Sequence, residues 1–196
     1  MRALVLLANP EPASFGAALA EAAVRGLRAG GHETRLVDLY GEGFEPVMSR
    51  ADRLAYESGD AVVDPVVQAH AAHVRWAEAI VFVYPTWWSG LPAVLKGWLD
   101  RVLVPGVAFE LDARTRKVRP TLQHVRALVG VTTYGSRRPY VRLLGDGGRR
   151  TINRALRMVC GWRTPAVWLP LYGMDVRTDD DRRAFLARVE ARMARL

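Results

Sequence analysis

The chain has 196 residues, half of them apolar and about a quarter charged, which is enough for one domain with a sizeable core spanning 1–196. No apolar run approaches the roughly 20 residues of a membrane span, so membrane insertion is not expected. The single cysteine, Cys160, excludes intrachain disulfides and cysteine-based zinc sites, and points to a reducing, cytoplasmic compartment.

The formal net charge is +8, carried mostly by arginine. A basic surface can serve nucleic acid, anionic membranes or phosphorylated small molecules. The arginines are scattered, with the densest group at Arg114, Arg116, Lys117 and Arg119, and no nucleic-acid motif accompanies them. They are therefore expected to be a solvated surface, with no nucleic-acid partner.

Taken in chain order, Ala3 to Ala8 is a continuous apolar run, the pattern of a strand covered on both faces. No small-residue cleavage site follows it, so it is not read as a signal segment. Asn9 to Ala13 breaks the run, and Ser14 is a good N-cap for a helix carrying Phe15, Leu19, Ala22, Ala23 and Leu27 to Gly30-Gly31. Thr34 to Leu39 alternates polar and apolar residues and reads as a less buried strand. A Gly/Pro-bearing loop follows, then helices at Ser49–Glu57 and Pro65–Ala77, separated by Gly59-Asp60. Ala79–Tyr84 is the third strand and Pro92–Val104 the next helix, with Pro92 in the first turn. Pro105 to Gln123 is a long basic connection, read as a hairpin. Val125–Thr132 is the fourth strand, Arg149 to Cys160 a helix, and Pro165–Leu169 the last strand. Asp179 to Asp181 and Arg192 then suit the two ends of a final helix.

This β-α alternation indicates an α/β fold, a doubly wound parallel sheet. The amphipathic second strand suits an edge, which favours the five-stranded flavodoxin-like order 2-1-3-4-5. In such a sheet ligands bind beyond the carboxyl ends of the strands, here loops 9–16, 85–91 and 132–140.

Each loop offers chemistry and a plainer alternative. Ser14, Phe15 and Gly16 open a helix whose free N–H groups and dipole suit a phosphate; Ser14 is equally an ordinary cap. Pro85, Thr86, Trp87, Trp88, Ser89 and Gly90 offer amides and an aromatic wall to a flat heterocycle; the indoles are equally core or interface anchors. Thr132, Thr133 and Gly135 offer hydroxyl and amide groups to the same ring, and Tyr140 a proton, although a strand end rich in β-formers explains the Thr pair as well. There is no G-x-G-x-x-G after the first strand, no Gly-x-Ser-x-Gly elbow and no Walker loop. Gly145 to Gly148 reads as a loop. His70 and His73 share a helix face without an evident third ligand, so no metal site is assigned and a solvated pair is expected. Cys160 lacks an activating base.

The run Pro85-Thr86-Trp87-Trp88-Ser89-Gly90-Leu91-Pro92 through Leu95-Lys96-Gly97-Trp98-Leu99-Asp100-Arg101-Val102, with Asn9-Pro10-Glu11-Pro12-Ala13-Ser14-Phe15 and Thr132-Thr133-Tyr134-Gly135 plus Tyr140, resembles the NAD(P)H:quinone oxidoreductase family. The resemblance covers almost the whole chain. It implies a flavin, FMN rather than FAD for a chain of this length, with its ring against 85–90 and 132–135, including Tyr134, and its phosphate near Asn9 and Ser14–Gly16. It further implies NAD(P)H as co-substrate, hydride transfer assisted by Tyr140, a two-electron ping-pong reaction with quinones, and a homodimer. Asn9 and Gly16 stand where the family usually has His and Asn. The same family includes ancillary proteins of potassium-efflux transporters, which supplies a regulatory alternative; a one-electron flavodoxin-like carrier is a further one, disfavoured by the positive charge.

Overall fold

The computed structural model describes residues 1–58, 62–112, 114–115 and 117–196. Gly59-Asp60 and Arg116, singled out above, lie outside the described residues. The elements in order are β1 (Arg2–Leu7), α1 (Phe15–Ala29), β2 (Glu33–Asp38), α2 (Arg50–Ser58), α3 (Pro65–Trp76), β3 (Ala79–Pro85), α4 (Ala93–Val102), β4 (Phe109–Leu111), β5 (Val118–Pro120), β6 (Ala127–Tyr134), α5 (Arg138–Leu143), α6 (Gly147–Arg150), a π-helical turn (Thr151–Leu156), α7 (Arg157–Cys160), β7 (Ala166–Tyr172), a 3-10 turn (Met174–Val176) and α8 (Asp179–Met193).

Five parallel strands form one sheet in the order β2-β1-β3-β6-β7, the flavodoxin-like arrangement expected from the sequence, with β2 at an edge. β4 and β5 form the anticipated antiparallel hairpin. Strand residues alternate between two cores, as a period of two requires. Leu4, Leu6, Ile80, Phe82, Tyr84 and Leu128 pack with α3, α4 and the π-helical turn. Ala3, Val5, Leu7, Val81, Val83, Val129 and Val131 pack with α1 and α8. Continuous apolar runs in the central strands follow from this double burial.

The α3–α4 side is tied together by Arg101, which is 5% exposed. Its Nε donates to Asp52 at 3.0 Å, its terminal nitrogens to Asp64 at 2.8 Å and to the Glu45 carbonyl at 2.6 Å. One guanidinium fork thus joins α4 to α2, to the cap of α3 and to the connecting loop. His70 is not solvated: it is 3% exposed and packs edge-on against Phe44. Its Nδ1 accepts from Trp98 Nε1 at 3.2 Å, and since indole can only donate, the network assigns the proton to Nε2, which faces Glu42 at 3.4 Å. The helical period placed His70 and His73 on one face correctly; what it could not show is that α4 covers that face.

Four features differ from expectation. β6 continues through Tyr134 and β7 through Tyr172, because each residue added to one strand pairs with one added to the other. The expected Arg149–Cys160 helix begins at Gly147 and is interrupted by the π-helical turn. The stretch 138–143 is helical, with Pro139 in its first turn, where its missing N–H costs nothing.

Candidate active site at the carboxyl rim of the sheet

Leu7, Val83 and Val131 lie in register on β1, β3 and β6, so the three loops leave the sheet from one rim. In the first loop, Ala8 donates to the Val83 carbonyl at 2.9 Å. Asn9 Oδ1 then accepts the Glu11 N–H and the Glu11 carboxylate accepts the Ala13 N–H, both at 3.0 Å. Ser14 Oγ caps α1 by accepting from Ala17 at 3.1 Å. The Asn9 side chain rests against Gly16: a Cβ there would lie 2.7 Å from Asn9 Nδ2. Among the described residues nothing accepts from the N–H groups of Phe15 and Gly16. These two donors at the positive end of a 15-residue helix are an anion-binding position.

The second loop is a strained turn. Gly90 donates to the Trp87 carbonyl at 3.0 Å, and both residues between them have left-handed backbones, Trp88 at φ 46° and Ser89 at φ 58°. Positive φ at both central positions is the mirror-image turn that Asn-Gly or Gly-Gly normally occupies. With Trp and Ser there, the strain is of order 1–3 kcal/mol per residue. The turn projects Trp88 fully into solvent and leaves Trp87 half-exposed. Neither indole is a core anchor.

The third loop starts later than its sequence suggests. Thr132 is fully buried in β6, and its hydroxyl is shared with that of Thr86 at 2.9 Å. The Thr86 N–H donates to the Thr133 carbonyl at 2.8 Å, which fastens the Pro85–Gly90 loop to β6. Tyr134 is also buried; its ring stacks on Tyr172 with centroids 4.9 Å apart, and its hydroxyl donates to Asp146 at 2.9 Å. Burial first, then the Asp146 charge, pushes both phenols above their ordinary range, so each stays a neutral donor. Of the residues assigned to the ring, Thr132 and Tyr134 therefore lie beneath the rim. Pro85, Thr86, Trp87, Trp88, Ser89, Gly90, Thr133 and Gly135 stand at it. Tyr140, in the first turn of α5, is half-exposed.

Asp146, which the Gly-rich stretch 145–148 had concealed as a plain loop, is a working part of this rim. It has a left-handed backbone at φ 45°, accepts the Arg149 N–H at 3.3 Å as N-cap of α6, and receives the Tyr134 hydroxyl. Its neighbour Gly147 donates to the Ser89 carbonyl at 3.0 Å. All three non-glycine residues with positive φ among the described residues thus sit in one buttressed unit, the usual signature of strain held at a site. The available signal was an Asp placed to cap the helix that follows it.

Comparison with known proteins agrees with this fold. Residues 1–193 match the protein family described as having the flavodoxin-like fold. NAD(P)H dehydrogenase [quinone] 1 of Rattus norvegicus is 36% identical over 152 residues, covering 69% of this chain and 54% of that protein. Against that relative the chain accordingly spans about half the length. Ribosyldihydronicotinamide dehydrogenase [quinone] of Mus musculus is 29% identical over 205 residues, covering 95% of this chain and 87% of that protein. The solved NAD(P)H:quinone oxidoreductase from Methanothermobacter marburgensis superposes with a TM-score of 0.85 at 28% identity, covering 100% and 98% of the two chains. The resemblance read from the aromatic turn and its neighbours holds over the whole chain, which belongs to the flavodoxin-like fold family and is similar within it to the NAD(P)H:quinone oxidoreductases.

Proposed function

We propose that the chain is a flavin-dependent NAD(P)H oxidoreductase that delivers two electrons to quinones or similar flat electrophiles. The observation that carries the reading is the strained, solvent-facing Trp87–Gly90 turn set beside the unpaired N–H groups of α1 at one sheet rim. The residues present suit a flavin. Phe15 and Gly16 N–H and the Ser14 hydroxyl would hold its phosphate, as FMN in this reading, with FAD the alternative. The amides and side chains of 85–90 and of Thr133 and Gly135 would line its ring. A flavin bound there supplies the hydride chemistry, accepting from NAD(P)H and then reducing the acceptor in a separate half-reaction.

The chain's own part is binding, orientation and proton supply. The Thr86–Thr132 hydroxyl pair and the Thr86–Thr133 bond hold the ring-facing loop rigid. Rim amides would stabilise negative charge on the reduced ring. The half-exposed Tyr140 hydroxyl is the proton donor of this reading: quinone plus hydride plus one proton gives the hydroquinone, and solvent reprotonates the phenolate. A homodimer is part of the proposal, supported by the exposure of Trp88, Leu143 and Trp162 on a chain with a complete core. No helix among the described residues is long and apolar enough to cross a membrane.

The test is to purify the protein, identify any flavin released on denaturation, and follow anaerobic bleaching by NADPH and by NADH, with menadione then restoring the oxidised spectrum. A colourless preparation that also fails to bind added FMN or FAD would overturn the reading.

A further inference from the structure

The arginines that look scattered along the sequence are not scattered in space. A cleft of about 1120 Å³ runs along the free edge of β7, between α5–α7 on one side and α8 on the other. Arg138, Arg142, Arg149, Arg150, Arg154 and Arg157 line it, and the acids on its walls are Asp146 and Asp181. Both acids are engaged, Asp146 by the Tyr134 hydroxyl and the Arg149 N–H, Asp181 by Arg177 and the Thr178 N–H. Among the described residues no carboxylate pairs with Arg138, Arg142, Arg149, Arg150 or Arg154. So many uncompensated cations around one concavity raise the local potential for an anion well above that of an ordinary basic surface.

Three further features mark the cleft as a built site. Asn153 Oδ1, Arg157 Nε and Trp168 Nε1 are buried polar atoms without a hydrogen-bond partner, and all three belong to residues that line it. Unsatisfied buried polar groups are rare, and three of them fall within the wall of this one cleft. The wall that carries Asn153 and Arg154 is the π-helical turn, a strained form that recurs at functional positions. Trp168 lies so close over Gly130 that a Cβ there would sit 2.1 Å from its ring, which fixes the indole beside Tyr84. Of the rim residues described above Asp146 alone lines the cleft, so the two adjoin there; the Pro85–Gly90 turn, Ser14–Gly16, Thr133, Gly135 and Tyr140 do not line it.

From this geometry we propose that the cleft binds an oligophosphate, either free or as the phosphate chain of a nucleotide, at a site that adjoins the sheet rim at Asp146 and extends away from it along β7. Clustered guanidinium forks match phosphate oxygens in geometry as well as charge. The face of the Tyr172 ring that Tyr134 leaves uncovered would receive a base if one is attached. An added peptide strand is disfavoured. Leu128 donates to the Pro165 carbonyl, so in the parallel ladder the even-numbered residues of β7 face the free edge, and Pro170 has no N–H to offer there.

The experiment is isothermal titration of the purified full chain with sodium tripolyphosphate and, separately, with ATP, at about 50 mM salt, where screening is modest. Saturable binding of tripolyphosphate is expected, weakened at least tenfold by R149A/R154A, two exposed positions whose truncation leaves the core intact. ATP binding more tightly than tripolyphosphate identifies a nucleotide ligand; equal affinity identifies the phosphate chain alone. Absence of saturable binding by both probes, or a double variant within twofold of the parent, overturns the proposal. So does competition with NADPH that persists undiminished in the double variant, since that would place the phosphates at the rim. Because the readout is binding, the result does not depend on whether the protein reduces quinones.

Discussion

Arg101 belongs to the sequence run most characteristic of the family, yet the structure gives it no route to the rim, and its replacement tests that division. In Arg101→Met the aliphatic stem remains, while the charge-assisted bonds to Asp52 and Asp64 and the bond to the Glu45 carbonyl are lost. Asp52 is 8% exposed, so it is left as a buried carboxylate without its cation. Breaking a buried pair in this way costs about 3–5 kcal/mol, a large part of the roughly 5–15 kcal/mol that holds a domain folded. Burial alone would raise the Asp64 carboxyl, but the Arg101 bond and the Val66 amide outweigh it and hold it below the ordinary range. The pair therefore stabilises the fold above the unfolded aspartate pKa and loses that contribution as the pH falls through the folded one. Urea unfolding near neutral pH measures the loss. Asp52→Asn added to Arg101→Met should restore part of it, because the uncompensated charge is then gone. The protein that remains folded should bind flavin stoichiometrically. A stability loss below about 1 kcal/mol, or a folded variant that has lost flavin binding, would refute the assignment of Arg101 to the architecture.

Three further outcomes are expected. Burial, then the neighbouring His73, lowers His70 to about 4 from 6.5, so the unfolded chain takes up a proton there before the folded one does. Stability should fall as the pH drops from 6.5 towards 4, by at most about 3 kcal/mol at 1.36 kcal/mol per pH unit and by less to the extent that Glu42 welcomes the imidazolium. Chemical denaturation of His70→Gln should show a flatter slope over that window, and an unchanged slope would reject the buried neutral imidazole. Ser89→Gly should leave stability within about 1 kcal/mol of the parent, since relief of the positive φ offsets the extra freedom of the unfolded chain; Ser89→Val should cost more than about 1 kcal/mol, and equal melting of the two would deny the strained turn. Gly16→Ala would push a methyl into the Asn9 amide; stability should change little because that side chain can move, while flavin affinity should drop about tenfold, read by fluorescence titration.

Much of the fold was legible because its signals are local. Continuous apolar runs marked the strands covered on both faces, Ser14 and Asp179–Asp181 marked helix starts, and the amphipathic second strand marked an edge. The aromatic turn at Trp87–Gly90 was visible for the same reason, since two indoles beside Pro and Gly have few cheap uses. Features that depend on a partner far along the chain were not legible. Whether Thr132 faces a ligand or the core depends on where β6 ends, and that is decided by pairing with β7. Asp146 reads as a loop residue until Tyr134 is brought to it and Ser89 to its neighbour Gly147. His70 is solvated or buried according to what α4 covers.

The residues by themselves thus determined the alternation of strands and helices, the strand order and the rim on which chemistry would be sought, because burial period, caps and breakers act within a few neighbours. Tertiary structure alone decided which of those rim residues face outward, how the strain of the Trp88-Ser89 turn is held, and that arginines from four separate segments share one cleft. The first two arise from contacts between segments tens of residues apart, and the third from the way consecutive short elements fold back beside β7, which no local pattern encodes.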